Sequence, residues 1–377
     1  MLLAAETLMS PKLDLKWMAR AFQLAERGRW TVSPNPMVGA VLVRKGRVVG
    51  EGFHRRAGGP HAEIVALRHA GARARGADLY VTLEPCAHHG RTPPCADALV
   101  AAGVRRVIAA LRDPNPLVSG RGFRRLSRAG VVVRGAGSPW RAVAERQNEK
   151  FIVWITKERP FVLAKWASTL DGKIAAADGR SQWITGPAAR RQALLLREEY
   201  DAVLVGAGTV DADDPRLTRR LGKNEGRHLR IVLDGRLDVS ERARVFRRPD
   251  GVQVVTAVSP EHPKVKRLAR RRVEVWCIPG KDRGKVDLRR FLLRLGKAGV
   301  SSLLVEGGAE TLASFFHAGL VDRARVFVAP RILAGRNALG AVGGLGFSLL
   351  RAPVLAGVEC ERIGQDFALT GRVARAR

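Results

Sequence analysis

The chain has 377 residues, 46% hydrophobic and 27% charged, with 66 Lys and Arg against 35 Asp and Glu for a formal net charge of +31. That length exceeds the roughly 100–200 residues of one ordinary domain, so two domains are expected, and the composition excludes a disordered or fibrous chain. No stretch approaches the roughly 18 apolar residues of a membrane helix or the pattern of a secretory signal, and four scattered cysteines, Cys86, Cys95, Cys277 and Cys360, exclude a disulfide framework and point to a reducing, cytoplasmic setting. The charge attracts phosphates and nucleic acid alike. It is spread from Lys12 to Arg377 without a basic block interleaved with aromatics, so a small phosphorylated ligand is expected and a nucleic-acid partner is not.

The first element is an amphipathic helix over Leu13 to Arg27, where Leu15, Met18, Ala19, Phe22 and Ala25 recur at helical spacing. TVSPNP stops it. Two strands, Val38 to Val43 and Arg47 to Gly50, meet at Lys45-Gly46 as a hairpin. A helix from His61 to about Ala72 follows, then a strand from Ala77 to Leu83 that runs into EPCAHHGRTPPC, a helix from Ala96 to Ala102 and a buried strand from Val104 to Ala110. This alternation predicts an α/β fold, a three-layer α/β/α sandwich.

After a further helix and strand ending near Arg134, Pro139 to Lys157 reads as one connecting helix. The boundary is placed near residue 150, giving domains of residues 1–150 and 151–377. The second half alternates again: strand Phe161 to Trp166, helix Pro187 to Glu199, strands Asp201 to Val205, Leu229 to Asp234 and Val252 to Ala257, helix Leu288 to Ala298, strand Ser302 to Glu306, helix Ala309 to Ala318 and strand Arg323 to Ala329. A second α/β domain is expected, with no internal repeat.

His61-Ala62-Glu63 opens a helix, so an imidazole and a carboxylate can share a pocket at its start. Cys86 closes a strand and Cys95 precedes the next helix. One nitrogen and two thiolates suit Zn²⁺ and leave a fourth position for water, as a catalytic site requires. In that reading Glu63 is no ligand but a proton shuttle in a hydrolytic deamination. The order of these groups is that of a zinc deaminase, except that eight residues separate the cysteines instead of two. Two alternatives stay open: a helix-capping His beside a buried cysteine pair, and a structural zinc completed by His88 or His89.

The strings SPNPMVGAV at 33–41, PHAE at 60–63 and VTLEPCAHHGRTPPC at 81–95 resemble the bifunctional riboflavin-biosynthesis deaminase-reductase family, in which the long insert between the cysteines is the rule. The resemblance continues through STLDGK, SQWITG, VGAGTVDADDPRLT and VEGGAETL, and fades over about 336–377. It implies a cytidine-deaminase-like domain followed by a dihydrofolate-reductase-like one. The first would remove the 2-amino group of 2,5-diamino-6-(ribosylamino)pyrimidin-4-one 5′-phosphate, and the second would reduce the ribosyl group to ribityl with NADPH. A homodimer associated through the reductase domain is also implied.

The same resemblance assigns Asn35 to the pyrimidine, although on its own Asn35 is a turn residue. It assigns Ala167, Trp183, Thr209, Asp213 and Gly308, Ala309, Glu310, Thr311, Leu312, Ala313 and Ser314 to NADPH, and Ser181, Arg197, Leu217, Arg220 and Glu306 to the substrate. Gly307-Gly308 between a strand and a helix would free backbone amides for a cofactor phosphate, or merely connect the two elements. Arg197 and Arg220 offer forked donors to a phosphate, or are two solvated arginines. Glu306 could bind ribose hydroxyls or cap the following helix. Thr169 in place of the more familiar Ser, and the bulky Trp166, depart from the family's pattern. Cys277 and Cys360 carry no motif.

Overall fold

Residues 39–43 are an unbroken apolar run, Gly-Ala-Val-Leu-Val, and Lys45 and Gly46 both adopt positive φ (50° and 72°), the geometry that lets a two-residue turn fold a strand back on itself. The computed structural model describes residues 11–87, 94–116, 118–222, 224, 226 and 228–374. They divide into two units, Met1–Lys157 and Glu158–Arg377.

In the first unit α1 (Pro11–Glu26) precedes the hairpin of β1 (Gly39–Arg44) and β2 (Arg47–Phe53), then come α2 (Ala62–Ala70), β3 (Asp78–Val81), α3 (Cys95–Ala101), β4 (Arg106–Ala109), α4 (Arg121–Arg128) and β5 (Val132–Gly135). The sheet order is β2-β1-β3-β4-β5, antiparallel through β2, β1 and β3 and parallel from β3 to β5. Two glycines show which helix covers which face. A side chain at Gly39 would strike the Ala21 carbonyl of α1 at 2.0 Å, and one at Gly52 would strike the Ala62 carbonyl of α2 at 2.3 Å. Gly52 pairs with Ala40, the neighbour of Gly39, and successive residues of a strand point to opposite faces. The two helices therefore lie on opposite sides of the sheet, as a three-layer sandwich requires.

Pro139 to Lys157 is not one helix. It forms α5 (Ser138–Gln147) and α6 (Glu149–Lys157). The break is Asn148, at φ −110°, whose buried side chain is engaged with Met37 instead of continuing the helical surface.

The second unit runs β6 (Phe161–Thr169), β7 (Lys173–Ala175), α7 (Pro187–Glu199), β8 (Ala202–Gly206), α8 (Ala207–Asp213), β9 (Leu229–Leu233), β10 (Val252–Thr256), α9 (Pro263–Arg270), β11 (Glu274–Cys277), α10 (Leu288–Lys297), β12 (Ser302–Val305), α11 (Ala309–His317), β13 (Arg323–Ala329), β14 (Leu339–Gly340), β15 (Val354–Ile363) and β16 (Asp366–Ala374). Nine strands form one sheet in the order β11-β10-β9-β8-β12-β6-β13-β16-β15, parallel from β11 to β13 and closed by an antiparallel hairpin, β16 and β15. Val162, Ala164, Leu204, Leu303 and Val305 pack in one core with Phe291, Leu295, Leu312 and Phe315 of α10 and α11. Ala164 pairs with Val305. Lys165, the next residue of β6, consequently points to the other face, where it meets Glu306, the residue just after β12.

Candidate active sites

His61 holds the N-cap position of α2, but its ring makes no cap hydrogen bond. The ring turns to two sulfurs instead: Nδ1 lies 3.2 Å from Cys95 Sγ and 3.5 Å from Cys86 Sγ. Cys86 stands in the turn after β3 and Cys95 starts α3. The Cys95 amide donates to Cys86 Sγ at 3.4 Å and the Ala96 amide to the Cys86 carbonyl at 3.0 Å, tying helix to turn. All three ligand atoms lie within 4.8 Å of one another. With Zn–N near 2.0–2.1 Å and Zn–S near 2.3 Å, a tetrahedron has N–S edges of about 3.5 Å. The donors thus stand at zinc-binding separations, and a set of imidazole and two thiols without a carboxylate suits zinc better than magnesium or calcium. His88 and His89 lie outside the described residues.

The Cys95 thiol donates to Cys86, which lowers the Cys86 thiol despite burial, and Cys95 is raised in turn. A divalent cation here would make thiolates of both. Glu63, in the first turn of α2, is 3% exposed, and burial pushes its carboxyl up to about 7 against the opposing pull of His61. It is a carboxyl suited to exchange protons near neutrality.

Beside His61 stands His54, the two rings edge-on with centroids 5.3 Å apart, and His54 in turn meets Asn35. His54 Nδ1 lies 3.0 Å from the Pro60 carbonyl, which can only accept, so Nδ1 carries the hydrogen. Burial lowers the His54 pKa and keeps the ring neutral, leaving Nε2 to accept from Asn35 Nδ2 at 2.9 Å. The Asn35 carbonyl is thereby left to face another partner. Beneath the turn that carries Cys86, the buried Glu84 carboxylate accepts the amides of Asp113, Gly120 and Phe123 at 3.1, 2.9 and 3.2 Å, fixing the loop after β4 to that turn.

In the second unit Arg197 reaches from α7 to Glu306, with Nε and Nη2 at 2.8 and 2.6 Å from its two oxygens, and Lys165 Nζ stands 3.7 Å from Oε2. The three side chains are 15%, 5% and 14% exposed. Arg197 is therefore neither a solvated surface arginine nor free to meet a phosphate with its whole fork, and Glu306 does not cap α11, whose N-cap is Gly308. Burial alone would raise the Glu306 carboxyl, but Arg197 and then Lys165 hold it down to about 2. Burial pushes the Lys165 ammonium below its usual value. Lys165 carries no motif. Its signal was a lone cation in the apolar run FVLAKW, since a buried charge is retained for a reason.

The NADPH positions expected at Thr209 and at Gly308 to Ser314 follow the carboxyl ends of β8 and β12, where α/β sheets bind ligands. Gly307 and Gly308 adopt φ 96° and 38° at the start of α11, with open space where Gly307 would carry a side chain. Thr209 Oγ1 lies 3.0 Å from the corresponding point at Gly308, so the turns after β8 and β12 abut. This arrangement fits a dinucleotide phosphate. Ser181 donates to Asp213 at 3.1 Å, and exposed Trp183 carries Arg190 over its ring at 4.5 Å. Ala167 lies on β6 opposite Phe327 of β13. Glu310 accepts the Gly344 amide at 3.1 Å and Ser314 donates to the Glu310 carbonyl at 2.8 Å. Ala309, Thr311, Leu312 and Ala313 are buried, with Leu312 in the core against the sheet.

Leu217 is buried with φ 55°, and Arg220 is exposed with its amide donating to Glu198 at 2.9 Å. Arg219, which no motif marked, donates to the Arg197 and Tyr200 carbonyls at the end of α7. The two departures are accommodated: Thr169 donates to Asp171 at 2.6 Å and accepts the Lys173 amide at 2.9 Å, and Trp166 packs edge-on against Phe316.

Residues 160–369 match the RibD C-terminal domain, and residues 11–111 match the cytidine and deoxycytidylate deaminase zinc-binding region. The chain is 43% identical over 332 residues to the riboflavin biosynthesis protein RibD of Aquifex aeolicus, covering 88% of this chain and 91% of that protein. Acinetobacter baumannii RibD superposes with a TM-score of 0.86 at 36% identity, covering 98% of this chain and all (100%) of that one. A diaminohydroxyphosphoribosylaminopyrimidine deaminase/5-amino-6-(5-phosphoribosylamino)uracil reductase from Thermotoga maritima does so with a TM-score of 0.82 at 36% identity, covering 97% and 99%.

Proposed function

The chain belongs to the RibD family of riboflavin-biosynthesis proteins, and on that premise we propose how its residues divide two reactions between them. It is a bifunctional deaminase and reductase, with a zinc-binding deaminase region and an NADPH-dependent reductase region. The substrate of the first reaction is 2,5-diamino-6-(ribosylamino)pyrimidin-4-one 5′-phosphate, and the second reaction reduces the ribosyl group of the deaminated product to ribityl. We divide the work near residue 150. The observation that carries the reading is the convergence of His61, Cys86 and Cys95 beside a buried Glu63.

In the deaminase, His61, Cys86 and Cys95 hold zinc, which when bound supplies the Lewis acidity that lets water act as a nucleophile near neutral pH. Glu63 takes a proton from the water, passes it to the ring nitrogen, and delivers the next to the amino group that leaves as ammonia. The Asn35 carbonyl, freed by His54, accepts from the pyrimidine and orients it.

In the reductase, NADPH supplies the hydride, and Thr209, Asp213, Ala167, Trp183 and the turn from Gly308 to Ser314 hold it. Glu306 accepts hydroxyl hydrogens of the sugar, and Arg197 keeps it ionised. Opening the sugar requires a proton at the ring oxygen, and Lys165, its ammonium made more acidic by burial, is placed beside Glu306 to give it. Ser181, Leu217 and Arg220 line the substrate side.

We infer a cytoplasmic homodimer. No helix among the described residues is long and apolar enough to cross a membrane. Leu345, Leu349, Leu350, Val354, Val358 and Phe367 of the second unit are 42–104% exposed, which supports association through that unit. The test gives purified protein the pyrimidine phosphate, then NADPH. Ammonia release followed by NADPH oxidation supports the assignment; deamination of tRNA or single-stranded DNA in place of the free pyrimidine would refute it.

A further inference from the structure

Asn148 separates α5 from α6 and carries no motif, yet it is 2% exposed and hydrogen-bonded through both polar atoms of its side chain. Its Oδ1 accepts the Met37 amide at 2.7 Å and its Nδ2 donates to the Met37 carbonyl at 3.1 Å, across 111 positions of sequence. One carboxamide thus satisfies both polar groups of a single residue's backbone, which a neighbouring strand would otherwise do. Asn148 is itself anchored on both sides: its amide donates to the Ala144 carbonyl in α5 at 3.0 Å, and its carbonyl accepts the Ile152 amide of α6 at 2.9 Å.

Met37 lies two residues beyond Asn35, just after the Pro-Asn-Pro turn and before β1. The Asn35 amide is fixed to the Val32 carbonyl at 2.9 Å and its side chain to His54 at 2.9 Å. Asn148 fixes the following end of the same segment. Between these anchors the loop has little freedom to move the Asn35 carbonyl.

We propose that Asn148 is a positioning residue of the deaminase, setting through Met37 the loop that presents Asn35 to the pyrimidine, so that the junction of α5 and α6 serves the deaminase and is more than a linker. The proposal rests on the reading of Asn35 as the pyrimidine contact. The hydrogen bonds of Asn148 run to Met37, Ala144 and Ile152, and none runs to Glu63, His61, Cys86 or Cys95.

The experiment compares Asn148→Ala, Asn35→Ala and the double substitution in the full chain, reading kcat and KM for ammonia release, zinc content, and NADPH oxidation on the deaminated substrate. Loss of two hydrogen bonds holding the loop should raise the deamination KM about tenfold, with kcat changed less than about twofold and zinc and reductase activity unchanged. The double substitution should be no worse than Asn35→Ala, because both act through one contact. An unaffected Asn148→Ala enzyme, or effects that multiply, would overturn the proposal while leaving Asn35 in place. A neutral Asn35→Ala would remove Asn35 from the pocket and overturn the proposal with it. If Asn148→Ala loses zinc, Asn148→Asp, which keeps the shape and the acceptor for the Met37 amide, must show the same coupling; zinc loss in both marks Asn148 as a folding residue only and overturns the proposal.

Discussion

Arg197 closes on Glu306 with two hydrogen bonds, 2.8 and 2.6 Å long, at a carboxylate that is only 5% exposed. A bidentate pair of this kind fixes both direction and ionisation of the carboxylate. It presents Glu306 as an acceptor at the end of β12, one residue before the glycine turn that opens α11.

Breaking that pair should be costly. Arg197→Ala leaves a buried carboxylate with Lys165 as its remaining cation, and removing one partner of a buried pair typically costs about 3–5 kcal/mol. The expected result is a lowered thermal midpoint and loss of NADPH oxidation, with ammonia release retained. Differential scanning calorimetry and the two assays check it.

Lys165 should behave differently. Lys165, Arg197 and Glu306 together carry one net positive charge, so Lys165→Met leaves a neutral pair and removes a desolvated cation. Stability should be kept or raised, whereas NADPH oxidation should fall by about 10²-fold or more, the usual contribution of a positioned proton donor. A variant that is both unstable and fully active would remove Lys165 from the mechanism.

How much of this was legible beforehand depended on sequence distance. His61, Glu63, Cys86 and Cys95 sit at element ends within 35 residues of one another, so order and residue type sufficed. Lys165 was visible as a charge inside an apolar strand but had no motif to attach it to. Asn148 was invisible because its partner, Met37, lies 111 positions away, and the helical pattern on either side of it runs on unbroken. The β15–β16 hairpin was missed for another reason: β15 is an edge strand with no buried residue, and without a buried face it lacks the alternation that marks a strand.

The second unit should lose stability in acid in two stages. Burial lowers His228 to about 4, so the unfolded chain takes up its proton first as pH falls below 6.5. Stability present above pH 6.5 is lost between 6.5 and 4, at most about 3 kcal/mol. Glu306, held down to about 2, contributes stability above its ordinary 4.5 that is lost as pH falls from 4.5 toward 2. Urea midpoints of the reductase activity measured against pH should therefore fall from about pH 6.5, and His228→Gln should flatten the upper stage alone.

Metal removal should separate the two activities. A strong chelator should abolish ammonia release and leave NADPH oxidation on the deaminated substrate intact, and added zinc should restore the first. Cys95→Ser should reproduce the chelated state, with substoichiometric zinc by atomic absorption. Loss of both activities on chelation would place the metal in a structural role shared by the chain.

The most direct measurement is ammonia release by Glu63→Gln, an isosteric change that keeps the pocket filled but cannot move a proton. The expected result is about one zinc per chain, NADPH oxidation at the wild-type rate, and ammonia release reduced by about 10²–10⁴-fold. Ammonia release near the wild-type rate with zinc bound would contradict Glu63 as the proton carrier, and with it the deaminase mechanism assigned to this site.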